Sequence, residues 1–538
     1  MHLRVLCFCA LALILFHGCT MQYREPSSEV ALNSPNNEVI YHVVQRSFYD
    51  TNGDMHGDLN GLRQKLDYLQ ELGVTSVLLL PLYESIYYHN YFTGDFEKID
   101  EEFGTKEDYI ALVKDMHQRG MKLYMDMETQ YVTEDHLWYR DSYKNPSSPY
   151  SDYLLYNGPG NTEPETIIFD LTELRGYNDS TRKITTINLN NEKVKEYFFQ
   201  LYKHWLDPDG DGNFDDGVDG FRLDHMMDDL DNKGKWTNLF QNFWKPLIAK
   251  LKAVNPKITF VAEQANWASL GLDYLEEGLV DRVFAFRIAF EIRNFNKQKL
   301  EIMADSLFGY TPREKQQLVF IENHDMPRFS YLVQQHPAKL KIGATLNLLI
   351  GGIPVIYYGQ EIGMYGAGEW KKWGMTDANE IPVREAFEWY RSDTGRGMSF
   401  WYKDTGPWWD SSNVQPNDGI SLEEQRDDPN SLWNYYRDLI RLRKSNDALV
   451  DGLYQTLPNN NDSVFSFLRY VNNQAAVVVV NFSGSSQQVT IDFSESKPGI
   501  SPQMENLLGK ARPEISGDQL KVDLGSYGIV VWDMKLQD

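Results

Sequence analysis

Residues 191–206 read NEKVKEYFFQLYKHWL, residues 218–224 read VDGFRLD and residues 258–263 read ITFVAE. The first has apolar side chains at helical spacing, and the other two are short strand-like runs, with a second helical stretch over 236–254 between them. This strand–helix rhythm extends in both directions. Upstream, VIYHVVQRSF (39–48) reads as a strand, GLRQKLDYLQELG (61–73) as a helix ending in Gly73, and VTSVLLLP (74–81) as a buried strand. TKEDYIALVKDMHQRG (105–120) follows as a helix that Thr105 can cap, with acidic residues in its first turn, and MKLYMDM (121–127) is the third strand. Downstream, short helices lead to DRVFAF (281–286) and QLVFIEN (317–323), KIGATLNLLIG (341–351) leads to IPVIYYG (353–359), and SLWNYYRDLIRLRKS (431–445) closes the series. Eight such alternations predict an α/β fold, a (β/α)8 barrel over residues 37–454. The Tyr-, Asn-, Pro- and Gly-rich stretch at about 130–190 lacks this period and reads as a subdomain inserted after strand 3. From 455 to 538 the strand-like runs SVFSFLRYV, AAVVVVNFS, QQVTIDF and GIVVWDM predict a C-terminal antiparallel β-sandwich.

Composition narrows the partners. With 52 Lys+Arg against 77 Asp+Glu the net charge is −25, which repels nucleic acid phosphates. The 13 Trp, 32 Tyr and 27 Phe suit stacking on sugar rings as well as a large core. All three cysteines, Cys7, Cys9 and Cys19, precede residue 20. Arg4, an apolar run from Val5 to Phe16 and Gly18 before Cys19 predict a signal peptide over 1–18. They also predict a lipidated Cys19 and a polar tether over 19–36. The expected location is therefore outside the cytoplasm of a bacterium, periplasmic or outer-membrane facing, with the membrane reached only through this lipid anchor.

Barrel active sites lie at the C-terminal ends of the strands. Strand 3 ends at Asp126, strand 4 carries Arg222 and Asp224 two apart on one face, strand 5 ends at Glu263, and strand 7 runs into Asn323, His324 and Asp325. Carboxyls held together cannot all ionise freely. One is expected to keep its proton near neutrality while Arg222 holds its neighbour ionised. An acid beside a carboxylate nucleophile is what retaining glycoside hydrolysis requires.

GFRLD (220–224), FVAEQ (260–264), FIENHD (320–325) and YYHNYFTGDFEKIDEEFGTKEDY (87–109), in this order, resemble the alpha-amylase family, glycoside hydrolase family 13. The resemblance runs from about Val39 to the carboxyl terminus. It implies Asp224 as nucleophile, Glu263 as general acid/base and Asp325 as the carboxylate that binds sugar hydroxyls. It also implies Arg222 holding Asp224 ionised, His324 and Tyr91 against the same sugar, and Asp126 in substrate binding; Arg328, just after ENHD, is a candidate either to bind the next sugar or to form a structural ion pair. The implied activity is hydrolysis of α-glucosidic bonds in starch-like glucans or maltooligosaccharides. The alternatives are a transglycosidase or isomerase on the same three acids, or a non-catalytic glycan-binding lipoprotein.

The sequence departs from the family at three places. DMETQY (126–131) puts Gln130 and Tyr131 where the family has Asn and His, so Tyr131 is the candidate to reach the sugar's primary hydroxyl. Met227 and Asp228 stand where amylases often have Lys-His, and Asn188 stands for an Asp that the amylase-type calcium site uses. Two other loops offer oxygen ligands at alternating positions, the pattern that suits calcium. One is DTNGDMHGD, with Asp50, Asn52, Asp54 and Asp58. The other is DPDGDGNFDD, with Asp207, Asp209, Asp211 and Asp215. Ca2+ there is expected to be structural, with no cofactor needed for catalysis.

Overall fold

The computed structural model describes residues 34–392, 394–494, 496 and 500–536. Cys19 and the signal peptide lie outside the described residues. Eight parallel strands close into a barrel: β1 (Ile40–Val43), β2 (Ser76–Leu79), β3 (Lys122–Met127), β4 (Gly220–Met226), β5 (Thr259–Gln264), β6 (Arg282–Phe284), β7 (Gln316–Val319) and β8 (Ile353–Tyr357). Each pairs with its sequence neighbour, and β8 pairs with β1. Alternation sorts the side chains. Phe221 and Leu223 of β4 face the helical layer, whereas Ile40, Leu78, Tyr124, Val261, Phe284, Leu318 and Val355 fill an apolar cluster inside the barrel. Arg222 is thereby aligned beside Asp126 on one side and Val261 on the other. Gly220 is required where β4 enters the barrel, because a Cβ there would lie 2.6 Å from the Tyr124 ring and 2.4 Å from the Thr259 carbonyl oxygen.

Local sequence accounts for the helices. Thr105 and Asp108 form a reciprocal cap on Lys106–Gln118. The stretch read as one helix over 61–73 is two, Leu59–Gln64 and Leu66–Leu72, broken at Lys65 and ended by Gly73 at φ +102°. The 236–254 stretch begins as a π-turn (Phe240–Trp244) before the α-helix Lys245–Val254. After β3 the chain builds a three-stranded sheet (Tyr131–Thr133, Thr181–Thr186, Glu173–Arg175). After β8 a long segment carries the 3-10 helix Asp377–Val383 and packs Trp401, Tyr402 and Trp408 against Tyr88.

The C-terminal part has two antiparallel sheets, of five and three strands, beginning at Leu453–Thr456. They enclose a separate apolar cluster that includes Val477, Val479, Ile491, Val522 and Trp532. Among the described residues no helix is long and apolar enough to cross a membrane.

Candidate active site

The Arg222 guanidinium, 2% exposed, organises the mouth of the barrel. Its Nη1 donates to Asp126 Oδ2 at 2.6 Å and to Asp224 Oδ1, and its Nη2 donates to Glu263 Oε2 at 2.7 Å. Three carboxyls from three successive strand ends thus meet one cation. The β4–β5 register shifts between Ala262 and Gln264, an irregularity that brackets Glu263. Asp325 approaches from beyond β7. Its Oδ2 lies 3.1 Å from His324 Nε2, and its Oδ1 accepts from Arg384 Nη2 at 2.9 Å. Tyr91 donates its hydroxyl to Asp126 Oδ2 at 2.7 Å, reaches His324 Nε2 at 2.8 Å and stacks on the His324 ring.

The environment divides the carboxyls. Burial alone would push Asp224 up, but His225 and Arg222 outweigh it and hold the carboxyl at about 2. Burial pushes Glu263 up, and the like charges of Asp224 and Asp325 oppose the lowering effect of Arg222 and His225. Burial likewise raises Asp325, and pushes Asp126 up to about 8 despite Arg222. Burial keeps His324 neutral by lowering it well below its ordinary range. A carboxyl held ionised and one pushed toward its acid form on the same guanidinium can act as nucleophile and acid.

Several neighbours of these acids were not expected to support them. Glu128, 1% exposed, places its carboxyl against Asp224, and burial followed by the Asp224 charge holds it protonated. Its position two residues after Asp126 was the available signal. Gln130 Nε2 donates to the Asp224 and His225 carbonyls at 3.0 Å each, anchoring the end of β4. Trp267 Nε1 donates to Glu263 Oε1 at 3.2 Å. Arg384 opens the motif REAFEW (384–389), and His89 lies beside Tyr91 in the cavity lining.

Three expected substrate contacts are placed elsewhere. Arg328 is fully enclosed: its Nη1 donates to Glu322 Oε1 at 3.2 Å and to the Tyr358 carbonyl at 2.8 Å. It is a buried ion-pair partner, and Arg384 supplies the guanidinium at the cavity. Tyr131, 1% exposed, starts the first strand of the inserted sheet, packs with Tyr87 and Ile167, and hydrogen-bonds Asp231. It does not line the cavity. Asp126, fully buried, is also not among the cavity's lining residues and bonds Arg222 and Tyr91 instead.

Of the two acidic loops, the second gathers. Asp207, Asp209 and Asp216 bring carboxylate oxygens within 4.8 Å of one another. Asp207 Oδ1 and Asp216 Oδ1 are buried without a hydrogen-bond partner, so this oxygen-only set fits a hard divalent cation. Asp211 instead accepts from the Asn213 amide, and Asp215 turns toward Lys114, 3.8 Å away. Asp216 therefore takes the place expected for Asp215. In the first loop Asp50 accepts from the amides of Asn52, Gly53 and Met55, Asp54 from His56, and Asp58 caps the helix at Gly61. These carboxylates accept from the backbone of their own turn, with burial raising Asp58 and Asp50 close enough for its charge to add to that.

The comparisons follow the same boundaries. A family model described as alpha amylase, catalytic domain, matches residues 42–452, and one for the maltogenic amylase C-terminal domain matches 454–531. Alpha-amylase 3 of Dictyoglomus thermophilum is 28% identical over 457 residues, covering 83% of this chain and 85% of that protein. The oligo-1,6-glucosidase of Parageobacillus thermoglucosidasius is 28% identical, covering 83% and 90%, and the trehalose synthase/amylase of Mycobacterium tuberculosis is 27% identical, covering 85% and 83%. The crystal structure of an α-amylase from H. orenii superposes with a TM-score of 0.76 at 26% identity, covering 92% of this chain and 99% of that one. With the catalytic-domain model spanning the barrel and the carboxyl-lined mouth where that barrel requires it, the chain belongs to the alpha-amylase family and is a glycoside hydrolase.

Proposed function

We propose that the protein is a retaining α-glycoside hydrolase that cleaves α-glucosidic bonds in starch-like glucans or maltooligosaccharides through a covalent glycosyl–enzyme. The observation that carries this reading is the opposite displacement of Asp224 and Glu263 while both bind Arg222. In the first step an Asp224 carboxylate oxygen attacks the anomeric carbon, the bond to the glycosidic oxygen breaks, and the Glu263 proton passes to that oxygen. In the second, Glu263, now ionised, takes a proton from water as the hydroxide oxygen bonds the anomeric carbon, and Asp224 leaves as carboxylate. Two displacements retain the α configuration. Asp325, fixed by Arg384, is placed to accept from sugar hydroxyls, and Tyr91 and His324 offer adjoining faces to the ring. Glu128 lends its proton to Asp224 and restrains it.

A second reading, transfer of the glycosyl group to another sugar, is favoured by the trehalose synthase/amylase among the relatives. The same two steps serve it, with a sugar hydroxyl in place of water. Calcium at Asp207, Asp209 and Asp216 is proposed as structural, since neither step uses a metal. An exported, Cys19-anchored lipoprotein is proposed from the first nineteen residues.

The test is turnover and binding of maltooligosaccharides by Asp224→Asn and Glu263→Gln. The first abolishes turnover while binding persists. The second loses natural substrates but retains an aryl glycoside whose leaving group needs no proton. Undiminished turnover by Asp224→Asn refutes the proposal. New linkages from maltose, in place of glucose, would favour transfer.

A further inference from the structure

The cavity that opens on the acids is asymmetric. Asp224, His324, Asp325 and Arg384 form its floor, and Glu263 is not among its lining residues. Glu263 lies beside Asp224, held by Trp267 Nε1 and the His225 amide on the side away from that lining. The opposite end of the cavity is covered by two segments far apart in sequence: Ile168–Leu174 from the insertion after β3 and Trp370–Glu380 from the segment after β8. They meet over it. The Phe169 and Trp370 rings lie 5.1 Å apart, Arg175 Nη2 donates to the Trp373 carbonyl at 3.2 Å, and Arg175 bridges Thr376 backbone to backbone.

Phe169 is the unusual member of this roof. It is 67% exposed, and its backbone sits at φ +61°, followed by Asp170 at +57°. Neither residue is glycine, and a bulky residue in the left-handed region carries strain that surrounding structure must hold in place. Trp370 is 55% exposed. Two large aromatics left in solvent, one on a strained backbone, gain little for stability. Together they span the mouth of a cavity of about 170 Å³, below the roughly 300–1,000 Å³ of pockets that enclose larger ligands.

We propose that the Phe169–Trp370 contact closes the cavity beyond the sugar under attack, so that the enzyme takes chain ends and short oligosaccharides and removes their non-reducing terminal sugar. This rests on the roles proposed above for Asp224 and Glu263. The glycosidic oxygen must lie at Glu263, outside the cavity, and the rest of the substrate leaves in that direction. The ring whose anomeric carbon meets Asp224 occupies the cavity, and a further sugar on its far side would collide with the roof. Internal bonds of a polymer then cannot reach the acids.

The test compares an aryl maltoheptaoside with the same compound carrying an ethylidene block on its non-reducing end. The wild type is expected to release glucose from the first and to cleave the blocked substrate about 100-fold more slowly. The double substitution Phe169→Ala, Trp370→Ala removes exposed side chains and is expected to narrow that ratio about tenfold or more, with longer products appearing. Either substitution alone should move the ratio in the same direction. Equal rates on the two substrates in the wild type, or an unchanged ratio in the double variant, overturn the roof while leaving the hydrolase reading standing. Failure to cleave either substrate overturns both.

Discussion

Replacing Arg222 should move the whole pH–rate profile toward alkaline pH. The guanidinium is bonded to Asp126, Asp224 and Glu263 at once, and all four groups are buried. Asp224 is held at about 2 against an ordinary 3.8, a preference for the ionised form of about 2 kcal/mol. That preference survives the cost of burial because His225 and Arg222 act together with the hydrogen bonds from Glu128 and Glu263. In Arg222→Met, only His225 and the hydrogen bonds from Glu128 and Glu263 are left against burial, so the acid limb of kcat/KM, which follows Asp224, should rise by about two pH units. Arg222 also lowers Glu263, so its removal lets the alkaline limb rise as well. With that limb near pH 4, activity at pH 4 should fall about twofold further than activity at pH 8. Leaving three buried carboxyls without their cation should cost about 3–5 kcal/mol of stability, so Tm is measured alongside and assays are run well below it. Arg222→Lys keeps a charge but not a fork able to reach three carboxyls, and its profile should fall between the two. The assay is kcat/KM on an aryl α-glucoside from pH 4 to 9. A folded Arg222→Met enzyme whose two limbs stay in place would refute the reasoning.

Calcium added to EDTA-treated protein should raise Tm, by about 2.7 kcal/mol of stability at a hundredfold excess over Kd. Asp216→Asn should remove the share of this loop whereas Asp211→Asn and Asp215→Asn should not, and identical responses in wild type and Asp216→Asn would sink the site. Stability should decline from pH 6.5 to 8. Burial raises Asp377 to about 8 and Glu361 to about 7, so the fold keeps protons that the unfolded chain has released. Each such group loses about 1.4 kcal/mol per pH unit until it ionises. Stability should also decline below pH 4, because Glu38 and Asp224, both held at about 2, must ionise less easily once unfolded. Burial-lowered His42 and His136, both at about 3, add to the acid-side loss, and a Tm maximum at pH 8 would contradict this balance. Cys19→Ser should move the exported protein from the membrane to the soluble fraction, and an unchanged distribution would exclude lipid anchoring there.

The barrel was legible because its signal is local and repeated. A parallel strand buried on both faces needs a continuous apolar run, and a helix packed on it needs apolar side chains every three or four residues. The acids were legible for the same reason, since residues two apart on a strand share a face. This placed Arg222 with Asp224, and brought Asp126 and Glu263 to the same end of the barrel. Position in the chain could not separate Arg328 from Arg384. One follows a strand end but turns toward Glu322 and the Tyr358 carbonyl, and the other lies 59 residues beyond Asp325 and reaches it across the mouth. Asp215 and Asp216 differ by one position, yet the turn aims only Asp216 inward. The roof over the acids joins residues about 200 apart in two segments with no period at all. Local periodicity in the amino acids thus determined the scaffold and the chemistry it carries at its strand ends. How aperiodic segments pack against one another, and therefore what can enter, was decided only by the tertiary structure, because those contacts form between parts of the chain whose local sequence carries no record of each other.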